Sequence, residues 1–399
     1  MSHGWAGLCR VSAVCLNAAT VLALYGGTAS AAVVTATPAT IALSYELGGT
    51  SPAGTILVSA GGAVAGFTAV AASAGGWLAV SPASGTTPSS GAANLTVSLV
   101  PAVLATLSPN PVGSPYAGTV TIGGTSPATG TTIVNVTLTI PAPLPTITGI
   151  TNAASGAVGP LAPGEIISLY ANPANAIGPA NLVQLDSTTC PSPCTQVPTN
   201  MGGVQVVFLP IGVPAPLIFV SAGQINAIVP YQAAGIANLS VEVRYSGLTS
   251  NAWPITTARV APGVFTALSS GTGPAATVQY DAKGNYQGVN SATNPAQRGW
   301  IVAIYMTGEG VVTPAATTGA VTQVSATPPY IPVPAAGAPS VLIGGQPASV
   351  IGYGEVAGLV SGVLQVNAVV PQTVSSGAQP VAVTLGAGSS QTGVTVAIQ

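Results

Sequence analysis

Charged side chains are scarce in this chain: Asp, Glu, Lys and Arg together make up only 3% of its 399 residues. Globular proteins ordinarily carry about a quarter. Nucleic-acid binding is excluded, because phosphate contacts require a basic surface of Lys and Arg that this chain lacks. Solubility must therefore depend on Ser, Thr, Asn and Gln side chains and on the polar backbone of turns.

Histidine is also nearly absent, since His3 is the only one. His3 and Arg10 precede an apolar run from Val11 to Leu24, and Ala29-Ser30-Ala31 supplies a small-residue cleavage site. We expect residues 1–31 to be a signal peptide removed after Ala31. An uncleaved membrane anchor is disfavoured because the run falls short of about 20 residues. The mature chain then has no histidine and a formal charge of 4 − 7 = −3, which excludes Ser–His–Asp and Cys–His catalysis and histidine-ligated metal sites.

Carboxylates are few and scattered. The seven in the chain are Glu46, Glu165, Asp186, Glu242, Asp281, Glu309 and Glu355. A glycosidase needs two carboxyl groups that face each other across a sugar, and no two of these are close in sequence. Asp281-Ala282-Lys283-Gly284-Asn285 has too few acidic ligands for a calcium loop, so we interpret it as a hairpin turn. The sequence predicts no catalytic pair, no metal site and no cofactor.

Two cysteines remain after the signal peptide, in the run Cys190-Pro191-Ser192-Pro193-Cys194. Two close cysteines in an oxidising compartment favour an intradomain disulfide. The alternatives are a redox-active pair, whose spacing would be Cys-x-x-Cys, and a metal site, which would need further ligands. We predict a disulfide between Cys190 and Cys194.

The feature that organises the chain is a repeated heptad. Gln224-Ile225-Asn226-Ala227-Ile228-Val229-Pro230 returns as Gln365-Val366-Asn367-Ala368-Val369-Val370-Pro371, and every difference is an exchange of Ile and Val. The pattern is typical of a strand buried on both faces and closed by proline. Both copies keep Gln and Asn on one face. We expect these amides, Gln224, Asn226, Gln365 and Asn367, to have a structural role and to bond to the backbone of a neighbouring loop.

A second pair of matching segments lies upstream of each heptad. Gly164-Glu165-Ile166-Ile167-Ser168-Leu169-Tyr170 matches Gly299-Trp300-Ile301-Val302-Ala303-Ile304-Tyr305. Two homologous all-β units, 146–266 and 267–399, follow from these matches. Trp300 stands where the first unit has Glu165, and ionised carboxylates are rarely buried unpaired. We therefore expect Trp300 to be partly exposed, as a contact for a ligand or another module; burial under a loop of its own repeat is the alternative.

Residues 32–140 form a domain of their own. Short alternating strands between Gly, Pro and Ser turns predict a β-sandwich. The runs Trp77-Leu78-Ala79-Val80-Ser81-Pro82-Ala83-Ser84-Gly85, Gly118–Ile122 and Val134–Leu138 resemble BACON domains. These are immunoglobulin-like modules of secreted bacterial proteins, named for a proposed carbohydrate-binding role. The resemblance implies that Trp77 is a core residue. Pro141-Ala142-Pro143-Leu144-Pro145 is predicted to be a stiff linker.

The two repeats resemble an uncharacterised C-terminal domain of acidobacterial (Solibacter-type) secreted proteins. The resemblance is carried by Asn152–Ser155, Pro163–Tyr170, Phe219–Asn226 with Val229-Pro230-Tyr231, and Thr307-Gly308-Glu309-Gly310. It implies secretion and a β-rich module, and it adds no catalytic residue. The fold class predicted for the whole chain is all-β, with tandem immunoglobulin-like β-sandwich modules.

These features favour a secreted, non-enzymatic protein for surface adhesion, carbohydrate binding or extracellular matrix assembly. Its expected partners are an extracellular glycan or a cell-surface protein, with no membrane insertion after signal cleavage. A second hypothesis is a carboxylate-dependent glycan hydrolase. A third is an outer-membrane β-barrel, suggested by the mean hydropathy of +0.62. The third is disfavoured because aromatic residues, at 5%, are too few for two interfacial girdles.

Overall fold

The computed structural model describes residues 30–110, 114–327 and 331–399. The predicted signal peptide lies, apart from Ser30 and Ala31, outside these ranges. The protein is all-β, with its sheets arranged as sandwiches, which confirms the predicted fold class. It divides into two compact units, the first ending at Ala142 and the second running from Pro143 to Gln399. None of the helices in the described ranges is long and apolar enough to cross a membrane.

The first unit is a sandwich of two sheets, ordered β1-β3-β7-β5 and β2-β9-β8-β4-β6. Its elements are β1 (Thr35–Thr37), β2 (Thr40–Ser44), β3 (Ala53–Ser59), β4 (Gly66–Ser73), β5 (Leu78–Ser81), β6 (Ser84–Thr86), β7 (Ala93–Leu99), β8 (Tyr116–Gly124), β9 (Thr131–Thr139), a 3₁₀ turn (Ala74–Gly76) and α1 (Pro101–Leu104). The Trp77 ring is fully buried between the sheets, so its predicted core position is confirmed.

The first repeat has one sheet ordered β10-β11-β16-β15-β12 and one ordered β14-β13-β17-β18, with β19 also paired to β17. Its strands are β10 (Ile147–Asn152), β11 (Ile166–Ala171), β12 (Val183–Gln184), β13 (Val204–Leu209), β14 (Val213–Pro214), β15 (Leu217–Val220), β16 (Gln224–Ile228), β17 (Leu239–Tyr245), β18 (Leu248–Thr249) and β19 (Trp253–Ile255). Two 3₁₀ turns, Pro173–Asn175 and Tyr231–Ala233, connect them.

The second repeat is one continuous folded sheet ordered β21-β32-β30-β27-β28-β29-β24-β22-β23, with β20 on β24 and β31 on β30. Its strands are β20 (Gly263–Val264), β21 (Gly273–Pro274), β22 (Thr277–Tyr280), β23 (Tyr286–Val289), β24 (Ile301–Thr307), β25 (Val312–Thr313), β26 (Val333–Pro334), β27 (Ser340–Ile343), β28 (Gln346–Glu355), β29 (Leu364–Val369), β30 (Gly377–Leu385), β31 (Gly388–Ser389) and β32 (Val394–Ile398). β25 and β26 form a separate two-stranded ribbon. Val264 packs in the core of this repeat, although the sequence assigned it to the first.

The two heptads occupy corresponding strands. In the first repeat β11 pairs with β16 so that Ser168 faces Asn226, and in the second β24 pairs with β29 so that Ala303 faces Asn367. The sequence alignment of the repeats matches Ser168 with Ala303 and Asn226 with Asn367, and the strands pair in the register that this alignment predicts. However, the prediction that these strands are buried on both faces is wrong. Only the face of Ile225 and Ala227 is fully buried, and the amide side chains on the other face are half-buried.

The two repeats share a buried contact within the second unit. Ile166 and Ile228 of the first repeat pack with Val363 of the second. The Thr307 hydroxyl bridges the repeats, because Oγ1 accepts a hydrogen bond from the Ile166 N–H at 2.9 Å and donates one to the Gly362 carbonyl at 2.7 Å. Gly362 has φ 112° and lies against the Gly164 carbonyl, where a side chain would overlap the backbone. This close approach is what buries the polar groups described below.

Candidate functional site

The outer face of the second-repeat sheet gathers aromatic and amide side chains. Strand pairing sets Tyr280 beside Tyr286 and sets Tyr305 beside Gln365. Side chains alternate across a strand, so Asn367 points to the same side as Gln365. We call these five residues the tyrosine–amide face.

Two of the three tyrosines of this face are in direct contact. The rings of Tyr280 and Tyr286 meet edge to face with their centroids 5.8 Å apart, and Tyr286 is 61% exposed. Partial burial raises the pKa of Tyr305, and the neighbouring Tyr280 and Tyr286 raise it further. The Tyr305 hydroxyl is therefore a neutral hydrogen-bonding group at physiological pH. Such rings offer apolar area together with a polar edge that stays wet.

The amides of the face bond to each other. Gln365 Nε2 donates to Asn367 Oδ1 at 2.7 Å, and the same bond recurs in the first repeat between Gln224 Nε2 and Asn226 Oδ1 at 2.8 Å. The expectation that backbone groups of a loop would satisfy these side chains is wrong, because the two amides sit two residues apart on one side of a strand. The Asn367 side chain is half-buried, and its amide nitrogen donates to no protein acceptor among the described residues, which leaves it a free donor.

The equivalent face of the first repeat is more closed. Ser168 Oγ adds a 3.0 Å hydrogen bond to Asn226 Oδ1, and Ile166 and Ile228 are covered by the contact with the second repeat. Its aromatic rings include Tyr170, which is 38% exposed, and the half-buried Phe219, which pairs with Asn226. Tyr305 of the second repeat also packs against this contact, so the second-repeat face is the more open of the two because of Tyr286, which is 61% exposed.

The tyrosine–amide face itself carries no charge. Asp281 and Lys283 lie in the turn that joins β22 to β23, and the antiparallel pairing of these strands confirms the predicted hairpin. Asp281 Oδ1 accepts the Lys283 and Asn285 N–H groups, and hydrogen bonds from Asn285 hold the pKa of Asp281 below its usual range. The carboxylate thus holds the turn in shape.

A second cluster lies in the contact between the repeats. Its members are far apart in sequence, so the sequence analysis did not identify it as a group. Glu165, Glu309 and Glu355 are each 1% exposed. Glu355 accepts hydrogen bonds from Tyr231 Oη at 3.1 Å, from Thr322 Oγ1 at 3.0 Å and from the Ser361 hydroxyl. Burial, followed by the Coulomb fields of Glu309 and Glu355, raises the pKa of Tyr231. We call these four groups, the three glutamates and Tyr231, the buried acid cluster.

Two of the glutamates in the buried acid cluster also have strongly shifted pKa values. Burial raises the pKa of Glu165 to about 8, against the opposing hydrogen bonds from the Ala162 N–H and from Asn152 Nδ2. Burial also raises the pKa of Glu309 to about 8, and repulsion from Glu355 and Glu165 adds to the rise. Neither Glu309 oxygen has a hydrogen-bond partner among the described residues. Glu165 was expected to be exposed, and that expectation is wrong.

Neither cluster is a metal site by geometry. No group of three or more His, Cys, Asp or Glu side chains within the described ranges is arranged to hold a metal ion. Glu165 and Glu355 already accept hydrogen bonds from protein donors. What the cluster can do chemically is take up and release protons, as the shifted pKa values indicate.

Trp300 is half-buried at the start of β24, and its ring packs against the core of the second repeat. Its side chain lies on the side of the sheet opposite to Tyr305, because side chains alternate along the strand. The structure does not bring Trp300 onto the tyrosine–amide face. Its predicted ligand contact stays a prediction.

We expect Trp300→Ala to lower the free energy of unfolding by about 1–3 kcal/mol, because a half-buried ring leaves the core. Thermal unfolding measures that loss, and glycan binding by the same variant tests the ligand role. Unchanged stability together with weaker binding would show that the ring contacts a ligand and does not support the core.

The predicted disulfide is present. Cys190 and Cys194 are bonded, with their Cα atoms 5.3 Å apart. The Asp186 carboxylate caps the same loop by accepting from the Thr188 hydroxyl at 2.6 Å, which together with the backbone N–H groups of Thr188 and Thr189 lowers the pKa of Asp186 to about 2. The loop lies on the surface and supplies no residue to either cluster.

Comparisons with known proteins show similarity of architecture only. A scan against protein-family models and a search of curated proteins found no match. Among solved structures, the Bacteroides ovatus glucan-utilization protein SGBP-B, in complex with a mixed-linkage heptasaccharide, is 10% identical, with 93% of this chain and 67% of that chain covered and a TM-score of 0.24. The E. coli chaperone DraB is also 10% identical, covering 57% of this chain and 99% of its own, with a TM-score of 0.22.

A Bacteroides ovatus GH5 xyloglucanase, in complex with a heptasaccharide, is 14% identical and has a TM-score of 0.19. The match covers 32% of this chain and spans only 21% of the xyloglucanase chain. TM-scores this low carry no argument about function.

Proposed function

We propose that the chain is a secreted, non-enzymatic β-sandwich protein that binds neutral extracellular glycans through the tyrosine–amide face. The observation that supports this proposal is the placement of three tyrosines and the half-buried Asn367 amide on one uncharged sheet face. Tyrosine rings stack on the apolar faces of sugars, and amides bond to sugar hydroxyls. The absence of charge on the face favours neutral over acidic polysaccharides.

Location outside the cytoplasm supports the same proposal. The Cys190–Cys194 disulfide is stable in an oxidising compartment, and the sequence predicts an export signal. A chain with 3% charged residues also has few charged side chains to attract acidic or basic macromolecules. A neutral glycan is therefore the partner class that matches both the surface and the compartment.

Binding to neutral polysaccharides tests the proposal. We expect the mature chain to be retarded in native gels that contain one of several soluble glucans, xylans or mannans, and Tyr286→Ala to bind that polymer about tenfold more weakly, a loss of about 1.4 kcal/mol. Tyr170→Ala is the matched control, because it removes an exposed tyrosine from the first repeat. Equal binding by wild type and Tyr286→Ala, or no binding to any neutral polymer, would contradict the proposal.

A carboxylate-dependent hydrolase is the second candidate, and the convergence of Glu165, Glu309 and Glu355 is the observation that favours it. Each of these groups is 1% exposed, so a polysaccharide cannot reach them without separation of the repeats. Release of reducing sugar from the bound polymer, lost in Glu309→Gln, would support the hydrolase and overturn the non-enzymatic assignment.

A further inference from the structure

The two repeats differ at one edge of the sandwich. Equivalent hydrogen bonds in the two repeats identify which residues correspond there. In the first repeat the Asn251 amide bonds to both backbone groups of Ile147, and in the second the Gln391 amide bonds to both backbone groups of Val264. Ile147 therefore corresponds to Val264. The edge strand resumes at Ile150, which pairs with Leu169, and at Thr277, which pairs with Ile304.

The second repeat has ten more residues than the first between these two pairs of corresponding positions. The distance along the chain is 150 − 147 = 3 residues in the first repeat and 277 − 264 = 13 in the second. The added segment contains β21, which pairs in parallel with β32. Its Gly273 N–H bonds to the Gly393 carbonyl and its Ala275 N–H to the Thr395 carbonyl, both at 2.8 Å. Ala275 is 2% exposed and joins the core.

The first repeat presents the same edge without such a cover. β19 corresponds to the edge strand β32, because the Leu161 N–H bonds to the Thr256 carbonyl just as the Ala296 N–H bonds to the Ala397 carbonyl, each at 2.9 Å. Among the described residues, β19 pairs only with β17. No described segment takes the place that β21 holds in the second repeat.

A groove follows this uncovered edge. It has a volume of about 590 Å³. It is lined mainly by apolar residues of β10, the 158–161 segment and β19, among them Ile150, Val158, Leu161, Trp253 and Ile255, and no charged residue lines it. Val158, at its rim, is 83% exposed.

We propose that the groove along β19 binds an extended, uncharged segment of a partner polypeptide by strand addition, as the second repeat binds its own Gly273-Pro274-Ala275. An edge strand presents backbone groups to which a further strand can bond. Small residues are favoured, because Ala275 fills the corresponding space in the second repeat. Pro254 stands where the second repeat has Thr395, and proline has no backbone N–H to donate. The β19 edge therefore offers mainly carbonyl acceptors, which select for a strand that supplies N–H groups.

The probe is a synthetic peptide with the sequence of residues 268–278, titrated into the full mature chain and followed by Trp253 fluorescence and calorimetry. We expect saturable binding with a 1:1 stoichiometry. Val158→Arg places a long charged side chain at the rim and should weaken binding at least about tenfold, as should the same peptide carrying A275D, because a charge would enter an apolar site. Val324→Arg, at a position that is 66% exposed and does not line the groove, is the control.

Three results would overturn the proposal. One is no binding to the wild-type chain at millimolar peptide, and another is equal binding to Val158→Arg. The third is a concentration-dependent dimer of the chain that Val158→Arg abolishes, which would assign the groove to a second copy. Because the tyrosine–amide face is a separate surface, Tyr286→Ala should leave peptide binding unchanged.

Discussion

The protein should lose stability steadily as the pH rises from about 5 to 8, and Glu309→Gln should remove a large part of that loss. Glu165 and Glu309 have folded-state pKa values of about 8, raised from 4.5. Below 4.5 both groups are protonated whether the chain is folded or unfolded. Between 4.5 and 8 the unfolded chain ionises them and the folded chain does not, so each group lowers the free energy of unfolding by about 1.4 kcal/mol per pH unit.

The other groups that face Glu309 do not reverse this sign. They are Glu165, Glu355 and Tyr231, and none is a cation that an ionised Glu309 could pair with. Thermal unfolding between pH 5 and pH 9 measures the slope. Glu309→Gln should be more stable than wild type at pH 8, because the neutral amide has the same shape and no charge to bury. Glu242→Gln, on β17 outside the cluster, is the control, and identical pH slopes for wild type and Glu309→Gln would contradict the assignment.

The second large effect is expected for Thr307→Val, which keeps the shape of the side chain and removes its hydroxyl. The Ile166 N–H and the Gly362 carbonyl then lose their buried partner. Each orphaned group costs about 1–3 kcal/mol. Because the two groups belong to different repeats, we expect the repeats to unfold in separate steps in the variant.

Calorimetry of the second unit within the full chain detects that change. Thr384→Val is the matched control, because Thr384 is exposed on β30 and, within the part of the chain that the structure describes, its hydroxyl bonds only to the Ser389 hydroxyl at 3.3 Å. A Thr307→Val variant that unfolds with wild-type midpoint and cooperativity would show that the bridge does not stabilise the contact between the repeats.

The parts of the fold that sequence predicted well were those encoded locally. Ile and Val residues closed by proline identified the heptad strands, and two cysteines four positions apart, in a chain predicted to be exported, identified the disulfide. Trp77 was assigned to the core by its resemblance to a family motif. In each case the deciding information lies within about ten neighbouring residues.

The buried acid cluster could not be predicted because its members come from segments far apart in sequence. Glu165 belongs to the first repeat, and Glu309 and Glu355 belong to the second. The rule that an ionised carboxylate is rarely buried unpaired is sound, but it led to the wrong exposure for Glu165. The group is accommodated by a raised pKa and by the Ala162 and Asn152 donors.

The tyrosines of the candidate site were missed for a different reason. Comparison of the repeats identified what the two copies share, and the hairpin of Tyr280 and Tyr286 belongs to the second copy alone. A signal was present: the two tyrosines flank the Asp281–Asn285 turn, and a hairpin sets such residues side by side across the strands. Their position beside Gln365 and Asn367 depends on the order of strands in the sheet, which local sequence does not determine.

The measurement that tests glycan binding at the tyrosine–amide face most directly is a nuclear magnetic resonance titration with fluorotyrosine-labelled protein and an oligosaccharide of the polymer it binds. We expect the resonances of Tyr280, Tyr286 and Tyr305 to shift together and saturate, and those of Tyr45 and Tyr116 in the first unit to stay unchanged. Saturable binding that leaves the resonances of Tyr280, Tyr286 and Tyr305 unmoved would contradict it.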